Sequence, residues 1–130
     1  MIVVDASALL AIYLDEPERQ SFIAAIAAAD RAMVAPVNAW EALARAQALD
    51  GEAGVQQMLD LMAALGVETG VCGLSEVRAA VAAFARFGRP KPAGLNLGDC
   101  IAYALASQAG APLLFKGADF ARTDVRSALA

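Results

Sequence analysis

The chain of 130 residues contains no histidine and only two cysteines. The lack of histidine excludes Ser-His-Asp and Cys-His catalysis, and it excludes zinc sites that use histidine ligands. Cys72 and Cys100 form no CxxC pair, so we interpret both as reduced packing residues. Any chemistry must therefore come from carboxylates, hydroxyl groups, lysine or arginine.

The sequence also lacks a long apolar run and the pattern of a signal peptide. No apolar stretch reaches the roughly 18 residues that a membrane helix needs, and Asp30 ends "SFIAAIAAAD". The N-terminus shows neither the basic start nor the small-residue cleavage site of a signal peptide, which predicts a cytoplasmic protein without membrane contact. With 59% apolar residues, we expect one globular domain over residues 1–130.

The net charge of −4 is a weak argument against a general nucleic-acid-binding surface. The position of charges matters more than their sum. Carboxylates gathered around a metal ion would also make the formal total too negative.

Short apolar segments alternate with helical patterns along the chain. The segments "MIVVD", "RAMVAP", "VETGVCG" and "APLLFKG" are predicted strands. Between them, "VNAWEALARAQALD" predicts an amphipathic helix with Asn38 as its N-cap, and "GEAGVQQMLDLMAALG" predicts a further helix. This alternation predicts an α/β fold with a central parallel sheet and helices on both faces.

Four acidic residues stand out by their positions: Asp5, Glu41, Asp99 and Asp119. Asp5 ends the first strand and Asp119 follows the last, at the sheet edge where parallel α/β folds form sites. Glu41 interrupts an apolar helix, and Asp99 begins a helix after the loop "GRPKPAGLNLG". Each has a structural alternative: a cap for Asp99 or Asp119, a turn for Asp5, a solvated position for Glu41. The functional interpretation depends on their convergence at one end of the sheet.

Clustered carboxylates repel one another unless a cation neutralises them. Mg²⁺ and Mn²⁺ are the natural cations, because hard ions prefer oxygen ligands. Such an ion can activate water and stabilise charge on a phosphoryl oxygen. Without histidine or a candidate cysteine nucleophile, metal-assisted phosphodiester hydrolysis is the leading chemistry.

Four stretches make the sequence resemble a PIN-domain protein, specifically a VapC-type toxin of a bacterial toxin–antitoxin pair. They are "VVDASALLAIYLDEPE", "APVNAWEALAR", "AGLNLGDCIAYALA" and "PLLFKGADFARTDV", in the family's order and across nearly the whole chain. The resemblance implies a PIN-like three-layer sandwich and a Mg²⁺-dependent endoribonuclease active on single-stranded or structured RNA. It also implies a cognate VapB-type antitoxin that covers the site, and commonly a homodimer.

The resemblance also implies roles for individual residues. Asp5 and Asp99 match metal ligands of the family, and Glu41 completes the site directly or through water. Ser7 matches a small hydroxyl residue that binds a ligand carboxylate or a phosphate, although a helix-cap role is an alternative. Gly117 stands where many PIN sequences place a fourth acid. Because "FKGADFARTD" resembles a VapC subgroup with this pattern, Asp119 is the better candidate for the fourth catalytic acid, with Asp124 in reserve.

Five further residues are candidates for substrate binding. Ser7 is one, and the others are cations that attract phosphates toward the acids: Arg86, Arg89, Lys91 and Lys116. A solvated basic loop is the alternative for the segment "ARFGRPKP".

Two other functions stay open from the sequence. One is a non-catalytic PIN-like module that binds RNA or a protein partner. The other is a carboxylate phosphotransferase, which uses an Asp-x-Asp motif after the first strand; here Ser7 stands at the second Asp position. The early apolar helices, with Leu9, Leu14 and Phe22, offer core packing or a groove for an antitoxin helix.

Overall fold

A computed structural model describes residues 1–129 and shows a four-stranded parallel sheet with helices on both faces. The strand order is β3-β2-β1-β4, so the chain reverses its direction of winding between β1 and β4. The strands are β1 (Ile2–Val4), β2 (Ala32–Val34), β3 (Val67–Thr69) and β4 (Leu113–Leu114), and the helices are α1 (Ala6–Tyr13), α2 (Arg19–Ala28), α3 (Pro36–Leu65), α4 (Leu74–Phe87) and α5 (Leu97–Ala109). The predicted α/β fold is confirmed.

The sheet separates two hydrophobic cores. Along β1, Ile2 and Val4 pack into the core with α1, α2 and α3, while Val3 packs into the core on the α4 and α5 side. This alternation follows from the period of two along a strand, and burial on both faces explains why β1 is continuously apolar.

Helix α3 begins earlier than the sequence predicts. Its N-cap is Ala35 and Pro36 occupies the first turn, where a missing N–H is harmless. The prediction that Asn38 caps this helix is wrong: Asn38 is fully buried and its amide contacts another part of the chain. The two predicted helices of this region form one continuous segment with a kink at Gly51, whose φ of 68° ordinary residues rarely adopt.

The early helices are used for core packing and leave little apolar surface. Leu9 and Phe22 are almost completely buried, and only Leu14 is substantially exposed. The apolar surplus lies instead on α4, where Val81 and Phe84 are exposed. No helix within residues 1–129 has the length and apolar character needed to span a membrane.

Candidate active site

An open cavity of about 330 Å³ lies beyond the carboxyl ends of β1 and β4. Its acidic lining residues come from four separate parts of the chain: Asp5 directly after β1, Glu41 in the second turn of α3, Asp99 in the first turn of α5 and Asp119 at the start of a 3₁₀ turn after β4. The structure thus brings the four predicted acids to one cavity, at the place where doubly wound sheets form their sites. Their chemical roles stay predictions.

Asp5 is the most deeply buried of the four, with 6% of its surface exposed. Its Oδ2 accepts hydrogen bonds from the Ser7 backbone N–H (3.1 Å) and from Ser7 Oγ (2.6 Å). Asp5 is therefore the N-cap of α1, and Ser7 binds a carboxylate instead of capping the helix. Burial raises the pKa of Asp5, and the negative charge of Glu41 raises it further, while the bonds from Ser7 oppose both effects.

Ser7 also connects the two strands that flank the cavity. Its Oγ accepts a hydrogen bond from the backbone N–H of Lys116 at 3.0 Å, just after β4. One hydroxyl group thus links the residue that ends β1 to the segment that carries Asp119.

Glu41 is held by a contact between α3 and α5. Asn38 Nδ2 donates to Glu41 Oε1 at 2.8 Å and to the Gly98 carbonyl at 3.1 Å. A Cβ atom at position 98 would lie 2.7 Å from Glu41 Oε2 and closer still to Oε1, so glycine leaves the space that this carboxylate occupies. The position beside the start of α5 also suits an anion. Burial raises the pKa of Glu41 and the charge of Asp99 adds to this, although the bond from Asn38 lowers it.

Asp99 lies at the third position of α5, within a capping box. The Asn96 side chain accepts from the Asp99 N–H at 2.9 Å, and Asp99 Oδ2 accepts from the Asn96 N–H at 3.1 Å. Partial burial, together with repulsion from Asp5 and Asp119, raises the pKa of Asp99 to about 6. The hydrogen bond from the Asn96 backbone N–H and the positive charge of Arg89 lower the pKa of Asp99 and offset part of that rise.

The structure separates the two candidates for the fourth acid. Asp119 lines the acidic cavity, whereas Asp124 lines a different hollow near the end of α5. Asp124 accepts a short hydrogen bond from the Tyr103 hydroxyl and pairs with Arg86 at 3.4 Å.

The predicted substrate-binding cations differ in how close they lie to the acidic cavity and in whether they are already paired. Arg86 pairs with Asp124 and stacks over Phe87, and it does not line the acidic cavity. Arg89 is close enough to Asp99 to lower its pKa, and Lys91 is exposed on the same loop. Lys116 lines the cavity, but its ammonium group pairs with Glu16 at 2.9 Å and Glu18 at 3.1 Å.

Sequence reasoning missed three residues of the site: Asn38, Gly98 and Arg45. Asn38 stands three residues before Glu41 and Arg45 four after it, spacings that share one helix face. Gly98 lies inside a helix, where glycine is unfavourable without a packing reason. These features of the sequence indicate site residues only when it is known that Glu41 and Asp99 lie at the same cavity.

The donor set fits a hard divalent cation. Its donors are carboxylate oxygens, and the pKa values of Asp5, Glu41 and Asp99 are all raised, so a cation would relieve their repulsion. Within residues 1–129, no three acidic or cysteine side chains form a ready-made group around an ion.

Comparisons with known proteins identify the family of the chain. The PIN domain family matches residues 2–126. Ribonuclease VapC28 of Mycobacterium tuberculosis is 39% identical over 135 residues, covering 98% of each chain. Ribonuclease VapC of Mycolicibacterium smegmatis is 35% identical over 125 residues, covering 95% of this chain and 97% of its own.

Two solved structures share the fold. Mycobacterium tuberculosis VapC20, described as a sarcin-ricin loop cleaving toxin, has a TM-score of 0.77 at 13% identity and covers 96% of both chains. A toxin–antitoxin complex from Klebsiella pneumoniae has a TM-score of 0.73 at 18% identity, covering 95% of this chain and 93% of that one. With a PIN fold, its acids at one cavity and near full-length relatives among the VapC ribonucleases, the chain belongs to the VapC group of the PIN-domain family.

Proposed function

We propose that this protein is a Mg²⁺-dependent endoribonuclease, with Mn²⁺ as an alternative ion, and the toxin of a VapBC-type toxin–antitoxin pair. The observation that carries the proposal is the cavity lined by Asp5, Glu41, Asp99 and Asp119, in which three carboxyl groups have raised pKa values. The relatives named as VapC ribonucleases support RNA as the substrate. An RNA substrate in turn supports action in the cytoplasm.

Asp5, Glu41 and Asp99 would hold the divalent ion. When bound, the ion supplies Lewis acidity toward a phosphoryl oxygen and lowers the pKa of water. Ser7 positions Asp5, and Asn38 positions Glu41. The Asn96 N–H holds Asp99, so all three carboxylates have defined orientations before any ion binds. Pre-organised donors of this kind contribute to catalysis because they need little rearrangement during reaction.

Asp119 would support the ion or orient the attacking water. It lies at the exposed side of the cavity, after β4, and repels Asp99 electrostatically. The exposed loop that carries Arg89 and Lys91 begins the approach path for the RNA backbone.

The direct test is cleavage of a panel of single-stranded and structured RNAs by the purified chain with Mg²⁺, Mn²⁺ or EDTA. We expect cleavage that EDTA abolishes and that Asp5→Asn reduces by roughly a hundredfold or more. Asp60→Asn, at an exposed position of α3, is the matched control and should cleave normally. Cleavage that persists in EDTA would contradict the metal role, and absence of cleavage with every ion would favour a non-catalytic RNA- or protein-binding module.

The homodimer is a separate part of the proposal. The outer face of α4 and the start of α5 form an apolar cavity of about 320 Å³, lined by Val77, Ala80, Val81, Phe84, Leu97, Cys100 and Ile101. Val81, Phe84 and Leu97 are 65%, 51% and 71% exposed, which is unusual for side chains of this size. We place a second copy of the chain on this surface, and the cognate antitoxin over the acidic cavity.

A further inference from the structure

The cavity needs a cation to accept an RNA phosphate, and most nearby cations are already engaged. Four carboxylates line it, and a bound divalent ion offsets only part of their charge. The Lys116 ammonium group is shared between Glu16 and Glu18, and Arg86 is paired with Asp124 outside the cavity. Besides Arg89 and Lys91 on the loop before α5, we therefore look for a further cation among the residues that line the cavity.

Arg45 lines the same cavity from α3, four residues after Glu41. A glutamate followed by an arginine at this spacing ordinarily forms an ion pair on a helix surface. Here Asn38 holds Glu41 Oε1, and the Glu41 carboxylate lies against Gly98 of α5. Within the part of the chain that the structure describes, Arg45 forms no ion pair, although four carboxylates line the cavity beside it.

We propose that the Arg45 guanidinium group binds a phosphate of the RNA substrate at the α3 wall of the acidic cavity. The planar guanidinium group presents paired N–H donors that match two phosphate oxygens, and it stays charged at every relevant pH. Arg45 faces the cavity from α3, while Arg89 and Lys91 belong to the loop that precedes α5. Phosphates of one RNA strand thus have a cation from α3 in addition to those on the loop before α5. This inference rests on the proposed ribonuclease function and adds a residue that contacts the substrate.

The test measures RNA binding separately from cleavage. A short fluorescein-labelled single-stranded RNA is titrated with the chain in EDTA, by fluorescence anisotropy at several salt concentrations. We expect Arg45→Gln to weaken binding roughly tenfold and to reduce the slope of log Kd against log salt by about 0.7. Arg45→Lys keeps the charge and should restore the salt slope while recovering only part of the affinity.

Arg78→Gln is the matched control, since Arg78 is also an exposed arginine but lines a hollow on α4. It should change neither affinity nor slope, and circular dichroism should show that all variants are folded. In Mg²⁺, wild-type and Arg78→Gln proteins should cleave alike and Arg45→Gln should cleave more slowly.

Different results would contradict the proposed ribonuclease function and the proposed role of Arg45. If the wild-type protein cleaves no RNA with any ion, the proposed function is wrong. If the wild-type protein cleaves and Arg45→Gln keeps wild-type affinity and salt slope, the role of Arg45 is wrong, whether or not its cleavage rate falls.

Discussion

At the scale of single residues, the site depends on the absence of a side chain at position 98. Glu41 comes from α3 and Asp99 from α5, and they approach because Gly98 leaves room for the Glu41 carboxylate. Asn38 completes the contact by donating to both Glu41 and the Gly98 carbonyl. These two bonds from the buried Nδ2 favour one arrangement of the two helices, whereas Asn38 Oδ1 accepts no hydrogen bond within residues 1–129.

Gly98→Ala is expected to lower the RNA cleavage rate about tenfold or more, because the new Cβ atom displaces the Glu41 carboxylate. The protein should stay folded, since alanine is the better helix former. Cleavage in Mg²⁺ and the increase of Tm on adding Mg²⁺ are the measurements. Gly73→Ala is the control, because only Glu76 Oε2, at 3.8 Å, lies near its Cβ position. Normal cleavage and a normal Mg²⁺ response in Gly98→Ala would show that the close approach has no role.

At the scale of secondary-structure elements, the segment after β4 decides which acid joins the site. The 3₁₀ turn over Asp119–Arg122 begins at the cavity and leads away from it. Asp124 therefore contacts Tyr103 and Arg86 on α5 and α4, although only five positions separate it from Asp119.

Asp119→Asn is expected to reduce RNA cleavage at least tenfold, whereas Asp124→Asn should cleave nearly as wild type. Asp124→Asn should instead lower Tm slightly, since it weakens the contacts with Tyr103 and Arg86. Both variants are assayed on the same RNA in Mg²⁺, with thermal unfolding measured in parallel. The reverse pattern, with Asp124→Asn inactive and Asp119→Asn active, would contradict this assignment.

Prediction from sequence succeeded best for the elements themselves. Buried strands such as "MIVVD" and amphipathic helices have local periodicities that the sequence displays directly. The prediction that Asn38 caps α3 is wrong. Asparagine is a favoured N-cap residue, but here the Asn38 side chain donates to the Gly98 carbonyl of α5. The competing contact is made with a residue that is distant in sequence, which a local pattern does not reveal.

At the scale of the whole molecule, stability should depend on pH through the acidic cavity. The pKa of Asp99 is raised from 3.8 to about 6, and the pKa values of Asp5 and Glu41 are also raised. At a pH between the ordinary and the raised pKa of such a group, the folded state binds more protons than the unfolded chain. The free energy of unfolding therefore decreases as the pH rises through this range. Carboxylates with lowered pKa values, such as Asp30 and Asp124, stabilise the folded state when they are ionised. Their contribution is lost only as the pH falls below the ordinary pKa of an aspartate.

In EDTA, Tm is expected to be higher near pH 5 than near pH 7.5. Mg²⁺ should raise Tm more at the higher pH, because the carboxylates are then ionised and available to the ion. Asp99→Asn, which keeps an oxygen acceptor for the Asn96 N–H, should show a smaller pH dependence. A Tm in EDTA that rises steadily from pH 5 to pH 7.5 would contradict the raised pKa values.

The exposed apolar face of α4 leads to a prediction about the oligomeric state of the protein. Sedimentation of the purified chain should give the mass of a dimer, and Val81→Glu combined with Phe84→Glu should give a monomer, because charges on the covered face are costly. Wild-type protein that sediments as a monomer would contradict the proposed homodimer surface.

The amino-acid sequence by itself determined the fold, and it limited the proposed chemistry to carboxylates, hydroxyl groups, lysine and arginine. It contains no histidine, it has acids at the ends of predicted strands and the start of a helix, and its strands alternate with helices. Those features are local, so they can be recognised without coordinates. Only the tertiary structure decided that Asp119 and not Asp124 lines the cavity and that Lys116 pairs with Glu16 and Glu18. It also showed that Arg45 forms no ion pair within residues 1–129. Each of these outcomes depends on side chains that meet across layers of the fold, where distances are set by packing and not by spacing along the chain.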